Sequence, residues 1–376
     1  MDTPGEDLPR RVAAAARAPL GEATGLPPEA YHSEALYALE QEHIFAKEWH
    51  CVGLAAEVPG PGDYLTFTIA EQPVVVVRGA DGALRAFANV CRHRMMRLVE
   101  GRGTCSHFVC PYHAWSYGLD GRLIAAPHMN GLDKGQHALK PLRCELWQGW
   151  IYITLDNQAE SVADRLDELA PVVGRYRMAG YRPVIAEDFR WRTNWKILSE
   201  NFMESYHLPV AHRETVGAWI TVDDMGFPES THDSFTYQTF VKREDAKYGR
   251  ARPGNDHLEG AWRGTSVMPT VFPAHMYVLA PDHLWYLTLR PEGVDSVQVR
   301  FGVALAPEAM PEDDRREAEI AELRAFFDKV NEEDRILVEA VFENAKAPLS
   351  SAGPLSWMER EIHDFNRYLA RRLADA

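Results

Sequence analysis

The sequence predicts an α+β protein with two domains: a small all-β domain, then a larger domain in which long helices pack against an antiparallel sheet. The chain has 376 residues, which is more than one hydrophobic core usually serves. Short β-branched and aromatic runs separated by turn residues dominate the first half, and the longest helical pattern lies in the second. We predict a helical lead-in at 1–45, the all-β domain at 46–157 and the second domain at 170–376.

The lead-in is predicted to be helical because apolar residues recur at near-helical spacing, namely Tyr31, Leu36, Leu39 and Ile44. The all-β domain is predicted from strand-like runs bounded by turn residues such as Gly60–Asp63 and Gly79–Gly82. These runs are Tyr64–Ile69, Pro73–Val77 and Trp150–Leu155.

The second domain follows a polar, acidic linker and begins with a strand-like run, Phe189–Arg192, and a helix predicted over Trp195–Leu208. A middle region rich in aromatic residues predicts an antiparallel meander. Its strands are predicted at Phe235–Val241, Met276–Leu279, Leu284–Leu289 and Val297–Leu305. A long amphipathic helix is predicted over about Glu312–Ala345.

Composition and charge exclude several classes of protein. The net charge of −15 argues against a nucleic-acid-binding protein, which usually carries a basic surface. Met1–Leu26 lacks the continuous apolar segment of a secretory signal, and no stretch approaches the eighteen apolar residues of a membrane span. Five cysteines in a long chain without export signals do not predict a disulfide framework. We therefore expect a cytoplasmic protein that binds neither nucleic acid nor membrane.

Two cysteines and two histidines form a four-ligand set, in which Cys91-x-His93 is followed after sixteen residues by Cys110-x-x-His113. Zinc accepts the same donors, but zinc fingers pair Cys with Cys and His with His, whereas each loop here mixes the two. A mixed pair from each loop suits a Rieske [2Fe–2S] cluster, in which one iron binds both sulfurs and the other both nitrogens. The other cysteines are expected to be packing residues, namely Cys51, Cys105 and Cys144.

A second set of donors follows at Glu204, His207 and His212. Glu204 and His207 are three residues apart, so they share one face if the predicted helix reaches His207. Pro209 disfavours helix at Leu208, so we predict that the helix ends near His207 and that His212 returns from the next loop. Two histidines and a carboxylate would form the 2-His-1-carboxylate triad, which leaves positions on Fe(II) open for dioxygen.

Helix periodicity predicts that the carboxylate is Asp334. An apolar stripe runs along the long helix, and Asp334 fills the gap in it. The members of the stripe are Leu323, Phe327, Val330, Leu337 and Val341. A carboxylate on a buried face needs a partner. Glu332 and Glu333 lie off the stripe by roughly 100° or more on a helix with 3.6 residues per turn.

The two sets of donors also carry a family resemblance. Cys91–Arg94, Cys110–Tyr117 and Leu119–Leu123 resemble the Rieske domain of ring-hydroxylating oxygenases. Asn201–His212 and Glu333–Asp334 resemble the catalytic domain of the same family, the alpha subunits of Rieske non-haem iron oxygenases. The resemblance implies a helix-grip catalytic domain beside the all-β Rieske domain.

What the resemblance implies about the site is specific. Cys91, His93, Cys110 and His113 would bind one [2Fe–2S] cluster per subunit. The ligands of one Fe(II) per subunit would be His207, His212 and Asp334, with Asn201 and Glu204 as catalytic residues. In the family, the residue at the position of Glu204 relays electrons from the cluster of a neighbouring subunit, which implies a ring-shaped homo-oligomer, a homotrimer.

The sequence departs from the family pattern at a few positions. Met95 and Ala114 stand where the family often has Gly, which suggests slightly altered loop packing. Respiratory Rieske proteins clamp the two loops with a disulfide, but the matching positions here, Met96 and Tyr112, cannot form one. A low-potential cluster of the oxygenase type is therefore implied.

The resemblance implies an enzyme that uses O2 and NAD(P)H-derived electrons, which a separate reductase or ferredoxin delivers. Glu204 stands where many ring dioxygenases have Asp, and it resembles the branch acting on carnitine, choline or betaine-type compounds. We therefore expect hydroxylation, often with N-demethylation, of a small quaternary or methylated amine. Aromatic residues within about 215–290, such as Trp285, would suit a quaternary ammonium or an aromatic ring.

Other functions stay open at this point. Hydroxylation of a small aromatic acid or ring is the nearest alternative. A Rieske electron-transfer protein without oxygenase activity would lack the second metal site, and a zinc-binding protein would be colourless. Arginines around the first loop, namely Arg92, Arg94, Arg97 and Arg102, would either receive an acidic redox partner or simply be solvated.

Overall fold

The computed structural model describes residues 8–228 and 232–374. The chain divides into two compact units. One unit spans Phe45–Asp164, and the other joins the residues up to Ile44 with those from Arg165 onwards. The helical lead-in thus belongs to the same unit as the C-terminal half. Within the described residues, none of the helices is both long enough and apolar enough to cross a membrane.

The first unit is all-β as predicted, and we call it the Rieske unit after the resemblance that its sequence carries. Its seven-stranded sheet has the order β1-β10-β9-β4-β3-β2-β5, and a smaller sheet has the order β6-β7-β8. The strands are β1 His50–Leu54, β2 Asp63–Ile69, β3 Gln72–Arg78, β4 Leu84–Ala88, β5 Arg102–Thr104, β6 Phe108–Val109, β7 Ser116–Tyr117, β8 Leu123–Ala125, β9 Pro141–Trp147 and β10 Trp150–Thr154. All three predicted strands are confirmed.

Strand β3 separates two hydrophobic cores. Val74 and Val76 pack into one core, and Val75 and Val77 pack into the other, because successive side chains on a strand point to opposite faces. The core with Val75 and Val77 also contains Cys91 and Cys110. One face of the sheet therefore supports the two cysteine-containing loops.

The second unit is built on a seven-stranded sheet with the order β11-β17-β16-β15-β14-β13-β12, and we call it the catalytic unit after the same resemblance. All its neighbouring strands are antiparallel, as predicted. The strands are β11 Arg182–Trp191, β12 Met225–Gly226, β13 Phe235–Val241, β14 Thr265–Val271, β15 His275–Leu279, β16 His283–Gly293 and β17 Ser296–Leu305. The α-helices of the described residues are α1 Leu8–Ala15, α2 Glu34–Glu40, α3 Val162–Arg165, α4 Ala170–Val173, α5 Trp195–Met203, α6 Leu208–Ala211, α7 Arg316–Ala345 and α8 Arg360–Arg372.

Buried polar contacts attach the lead-in to helix α5. Glu40 is fully buried and accepts hydrogen bonds from Lys196 Nζ at 2.6 Å and from Trp195 Nε1 at 2.7 Å. The hydroxyl of Tyr31 lies 3.0 and 2.9 Å from the two carboxylate oxygens of Glu200. A buried charge needs such partners, so these contacts fix the lead-in on the catalytic unit.

The predicted helix over Trp195–Leu208 is wrong in its second half. Helix α5 ends at Met203, Glu204 is extended, and a separate short helix, α6, starts at Leu208. Glu204 and His207 therefore do not share a helix face, and His212 caps α6 rather than returning from a loop. Pro209 lies in the first turn of α6, where its missing N–H is not needed, so it permits helix at Leu208 instead of preventing it.

Helix α7 confirms the predicted long helix but corrects its apolar stripe. Phe327 and Val330 are buried as expected, whereas beyond Asp334 the buried residues are Val338 and Phe342. Leu337 and Val341, which the stripe included, are 38% and 52% exposed. The buried face therefore continues at steps of three and four residues through Asp334, which still lies on it.

Candidate functional site

The two Cys/His loops share one backbone pattern. In the first, Cys91 N–H donates to Met96 O at 2.8 Å and Met95 N–H donates to Cys91 O at 3.0 Å. In the second, Cys110 N–H donates to the carbonyl oxygen of Trp115 at 2.8 Å, and the N–H of Ala114 donates to Cys110 O at 3.0 Å. Each cysteine is thus held at the start of a closed turn.

Both turns need a left-handed residue four positions after the cysteine. Met95 has a φ of 58° and Ala114 a φ of 55°. Glycine adopts this region without steric cost, whereas other L-residues lose about 1–2 kcal/mol there. The departures at these two positions therefore keep the turn, and the strain is local.

The four predicted cluster residues converge at the tips of these loops. The side chains of Cys91 and Cys110 are both buried and belong to one hydrophobic core. The rings of His93 and His113 have centroids 4.6 Å apart. His93 Nδ1 is buried without a hydrogen-bond partner among the described residues. Two adjacent thiols and two adjacent imidazoles, one with an orphaned nitrogen, fit the donor set of a Rieske [2Fe–2S] cluster.

The sequence did not predict the roles of two residues that contact the cluster residues. The Tyr117 hydroxyl lies 3.3 Å from Cys91 Sγ and accepts a hydrogen bond from Arg92 N–H at 2.9 Å. The indole of Trp115 stacks on the His93 ring at a centroid distance of 4.9 Å. Both residues are buried, and each contacts the other loop of the pair, so only the folded structure reveals these contacts.

The second set of donors also converges, although its members come from α7 and from the two ends of α6. Ligand atoms of His207, His212 and Asp334 all lie within 4.8 Å of one another. Asp334 Oδ1 is 3.0 Å from His212 Nε2 and 3.6 Å from His207 Nε2. The two Nε2 atoms and a carboxylate oxygen thus face a common point, which fits a mononuclear iron site.

Carboxylates hold the outer nitrogen of both imidazoles. Glu204 accepts hydrogen bonds from His207 Nδ1 and, at 3.0 Å, from the His207 backbone N–H. His212 Nδ1 lies 2.7 Å from Glu333 Oε2, which also accepts from Thr215 Oγ1 at 2.6 Å. Helix periodicity set Glu333 aside as lying off the apolar stripe, and no signal in the sequence placed it near His212.

The electrostatics of the triad favour a bound cation. Burial lowers the pKa of His207, but the nearby carboxylates of Asp334 and Glu204 outweigh it and raise the pKa to about 9. Burial raises the pKa of Asp334, yet the two imidazoles beside it lower it overall. The carboxylates thus favour positive charge at this point, which a divalent cation would supply.

The triad opens into a cavity of about 1260 Å³ within the catalytic unit. Asn201 and Glu204 line it beside the three triad residues, and an apolar wall follows. Three rings of that wall come from different elements: Phe202 on α5, Trp285 on β16 and Phe327 on α7. Trp285 lies 5.4 Å from Phe202 and 5.8 Å from Phe327 between ring centroids.

Comparison with known proteins identifies both units. The catalytic domain of the ring hydroxylating alpha subunit matches residues 178–375, and the Rieske [2Fe–2S] domain matches residues 48–139. The carnitine monooxygenase oxygenase subunit of Acinetobacter pittii is 33% identical over 256 residues, which are 66% of this chain and 68% of that protein.

Two further matches agree with this. The glycine betaine monooxygenase oxygenase subunit of Chromohalobacter salexigens is 37% identical over 226 residues, which are 59% of this chain but only 50% of that protein. A solved quaternary ammonium Rieske monooxygenase, described in relation to carnitine oxidation and inter-subunit electron transfer, is 25% identical, with a TM-score of 0.79 and 99% coverage of both chains.

The matches confirm the predicted pairing of an all-β Rieske domain with an α+β catalytic domain. A Rieske domain carries a [2Fe–2S] cluster, and the catalytic domain of this family carries a mononuclear iron. Both donor sets fit these groups. The chain belongs to the ring-hydroxylating alpha subunits and is a Rieske non-haem iron oxygenase.

Proposed function

We propose that this oxygenase hydroxylates a small quaternary or methylated amine, using O2 and NAD(P)H-derived electrons from a separate reductase or ferredoxin. Oxygen insertion into a C–H bond of an N-methyl group would make N-demethylation the outcome. Relatives named as glycine betaine and carnitine monooxygenase subunits support this substrate class. We also propose the domain limits 46–157 and 170–376 and a location in the cytoplasm, which the five free cysteines favour.

The cluster residues would store electrons. We assign Cys91 and Cys110 to one iron and His93 and His113 to the other. The cysteines are buried whereas His113 is exposed, so the histidine side of the cluster faces the surface. Electrons would therefore enter and leave through the imidazole edges.

The triad residues His207, His212 and Asp334 would hold the mononuclear iron, which supplies dioxygen activation when bound. Glu204 fixes the ring of His207 through Nδ1 and would couple it to the cluster of a neighbouring subunit. Asn201 lines the cavity from the last turn of α5 and would position substrate or dioxygen.

A homotrimer would bring a cluster to each iron. Large apolar side chains are exposed around both donor sets, an arrangement that marks interaction surfaces. On the Rieske unit they are Met95, Met96, Val109 and Tyr112, and on the catalytic unit they are Tyr206, Val210, Ile336, Leu337 and Val341. Because these two patches differ, a contact of one with the other between copies would be head-to-tail, the type of contact from which a closed ring such as a homotrimer is built.

The wall of the cavity is the observation that carries the amine proposal. Phe202 lies two residues before Glu204, and Phe327 lies seven residues, or about two helical turns, before Asp334 on the same face of α7. Together with Trp285, these rings form an aromatic surface next to the triad. Aromatic faces attract quaternary ammonium groups, which lack hydrogen-bond donors.

Single-turnover chemistry tests the proposed function. Chemically reduced protein would be mixed with 18O-labelled dioxygen and, separately, glycine betaine, carnitine, choline or benzoate. We expect label in the product of an amine and none in benzoate. Label in the aromatic acid alone, or in none of the four compounds, would contradict the proposal.

A variant pair tests the aromatic wall itself. Trp285→Leu should weaken binding of the productive amine by roughly thirtyfold, because cation–π contacts in desolvated sites contribute about 2 kcal/mol. The matched control is Trp357→Leu, which changes an indole that is 60% exposed and contacts Phe227 outside the cavity wall. Equal weakening in the two variants would refute the role of Trp285.

A further inference from the structure

Lys242 is a partly buried lysine of the substrate cavity that has no anionic partner among the described residues. Lys242 follows the last residue of β13 and lines the cavity together with Phe240, two residues earlier on the same strand face. Its ammonium lies 5.8 Å from the centre of the Phe240 ring. In residues 8–228 and 232–374 it forms no salt bridge or side-chain hydrogen bond.

The carboxylates near Lys242 are engaged elsewhere. Asp282 lies 2.7 Å from His283 Nδ1 and accepts from the Gly249 N–H at 2.9 Å. Asp224 accepts from both the backbone N–H and the hydroxyl of Thr221, at 2.9 and 2.8 Å. Both therefore exert only a longer-range attraction on the lysine. Burial is the dominant influence and lowers the pKa of Lys242 to about 8.

The other cations on the cavity wall are either paired or exposed. Arg315 pairs with Glu312 at 3.3 Å and with Glu319 at 3.1 Å, and Arg252 lies 3.4 Å from Asp282. Lys247 is exposed to solvent, with its ammonium 4.9 Å from the centre of the neighbouring Tyr248 ring. Lys242 is only partly exposed, and a partly buried ammonium without a partner is costly unless a ligand supplies the anion.

The fold makes room for this side chain. A Cβ atom at Gly249 would lie 2.9 Å from Lys242 Cγ and 3.1 Å from Lys242 Cε, so glycine at this position leaves space for the lysine stem. Gly249 has a φ of 85°, a conformation that glycine adopts without cost. The lysine is thus seated against the backbone instead of extending freely into solvent.

The strand also sets the distance between Lys242 and the triad end of the cavity. Gln238, four residues before Lys242, bonds to Ser205 Oγ and to the carbonyl oxygen of Met203, the two neighbours of Glu204. At about 3.3 Å per residue, Lys242 starts roughly 13 Å further along the strand. A ligand that reaches both ends is therefore extended.

We propose that Lys242 is the carboxylate-binding residue of the substrate cavity, so that the substrate is an extended trimethylammonium carboxylate rather than an amino alcohol. The inference rests on the proposed amine function and deepens it. The ammonium end of the ligand lies against the aromatic wall of Phe202, Trp285 and Phe327. Its carboxylate accepts charge-assisted hydrogen bonds from Lys242 Nζ.

A matched pair of ligands tests the proposal without turnover. Dissociation constants would be measured by calorimetry with oxidised, iron-loaded enzyme for 4-trimethylammonio-butyrate and for the alcohol of equal length. We expect wild-type enzyme to bind the carboxylate about tenfold to a hundredfold more tightly, as one buried charge-assisted bond implies. Lys242→Met should bring that ratio close to one while the affinity for the alcohol stays within about twofold.

Lys247→Met provides the control, because it removes the same charge five residues further along the chain, at a lysine that is exposed to solvent. Its carboxylate-to-alcohol ratio should match wild type, and the cluster absorption spectrum would verify folding of both variants. An unchanged ratio in Lys242→Met, or an equal loss in both variants, would overturn the assignment while leaving the amine function intact. If neither ligand binds wild-type enzyme, the proposed amine function itself fails.

Discussion

The two donor sets of this chain are assembled in different ways. The cluster residues lie within 91–113, on two turns with the same backbone hydrogen bonds, and their neighbours Tyr117 and Trp115 are neutral. The triad joins positions 207 and 334 across the fold, and carboxylates hold both of its imidazoles. The cluster site is thus formed by two loops that are close in sequence, whereas the iron site depends on tertiary packing and on buried charge.

The largest expected effect is the independent loss of either metal. Asp334→Ala removes the carboxylate that faces both Nε2 atoms, so activity should fall by more than about 100-fold, beyond what losing a supporting residue costs. The cluster should stay, because its donors belong to the other unit. Iron and acid-labile sulfide assays check this: iron should fall while sulfide is unchanged.

Cys110→Ser is the reciprocal variant. Acid-labile sulfide and the visible absorption of the cluster should disappear, while the triad still binds one iron. Loss of both metals in either variant would show that the two sites are not separable in the way the fold suggests.

The buried carboxyl group of Glu200 in the catalytic unit predicts that the stability of the protein depends on pH. Burial raises the pKa of Glu200 to about 8, against 4.5 ordinarily. The folded state thus keeps a proton that the unfolded state releases, so this contribution to stability is complete below about pH 4.5 and is lost as the pH rises towards 8. The free energy of unfolding of Glu200→Gln, relative to that of wild type, should therefore rise by on the order of 3 kcal/mol when the pH is raised from about 5 to about 8.5.

Urea unfolding at the two pH values measures this difference. Glu343→Gln, an exposed glutamate near the end of α7, is the control and should show no such pH dependence. A gain for Glu200→Gln that is the same at both pH values would contradict the assigned protonation.

A variant of Glu333 tests the difference between the two sites, because carboxylates contact the Nδ1 atoms of the triad histidines, whereas neutral residues contact the cluster residues. Glu333→Gln weakens the partner that orients His212, and iron affinity should fall by about 10- to 100-fold. Glu332→Gln is the control, since Glu332 is exposed and pairs with Arg335. Competition with a chromophoric chelator compares the two, and equal affinities would exclude a positioning role for Glu333.

The smallest effect concerns the loop turns. Met95→Gly and Ala114→Gly should each stabilise the Rieske unit by up to about 1 kcal/mol, because both residues are left-handed and exposed. Met96→Gly, at the next position without positive φ, should not stabilise it. Thermal unfolding of the intact protein measures these changes, and destabilisation in both left-handed variants would contradict the strain argument.

The comparison also explains what could be predicted from sequence. In the Rieske unit, β-branched and aromatic runs were sufficient to predict the all-β class and the strands β2, β3 and β10, and the cluster donors were found because they are close in sequence. Shorter strands such as β6 Phe108–Val109 and β7 Ser116–Tyr117 were not predicted, because two residues carry no periodicity. In the catalytic unit, β14 escaped prediction because all seven of its residues are buried and Pro269 interrupts the run. Helix α8 escaped because it buries polar residues such as Glu361 and Asn366, which obscure its apolar periodicity.

The errors at the iron site have a related cause. The break between α5 and α6, and the switch of the buried stripe from Leu337 to Val338, are decided by what packs against each helix. Asp334 was nevertheless found, because its place on the buried face precedes the point where the two stripes diverge. Glu333 was missed since a side chain beside the stripe can still reach a neighbouring loop.

The central claim is that one polypeptide furnishes donors for two separate iron centres. The most direct test is the metal content of wild-type protein after anaerobic reconstitution, combined with the electron paramagnetic resonance spectrum of its reduced form. The account predicts three irons and two acid-labile sulfides per chain, with a signal typical of a Rieske cluster. Two irons per two sulfides, or zinc without sulfide, would contradict it.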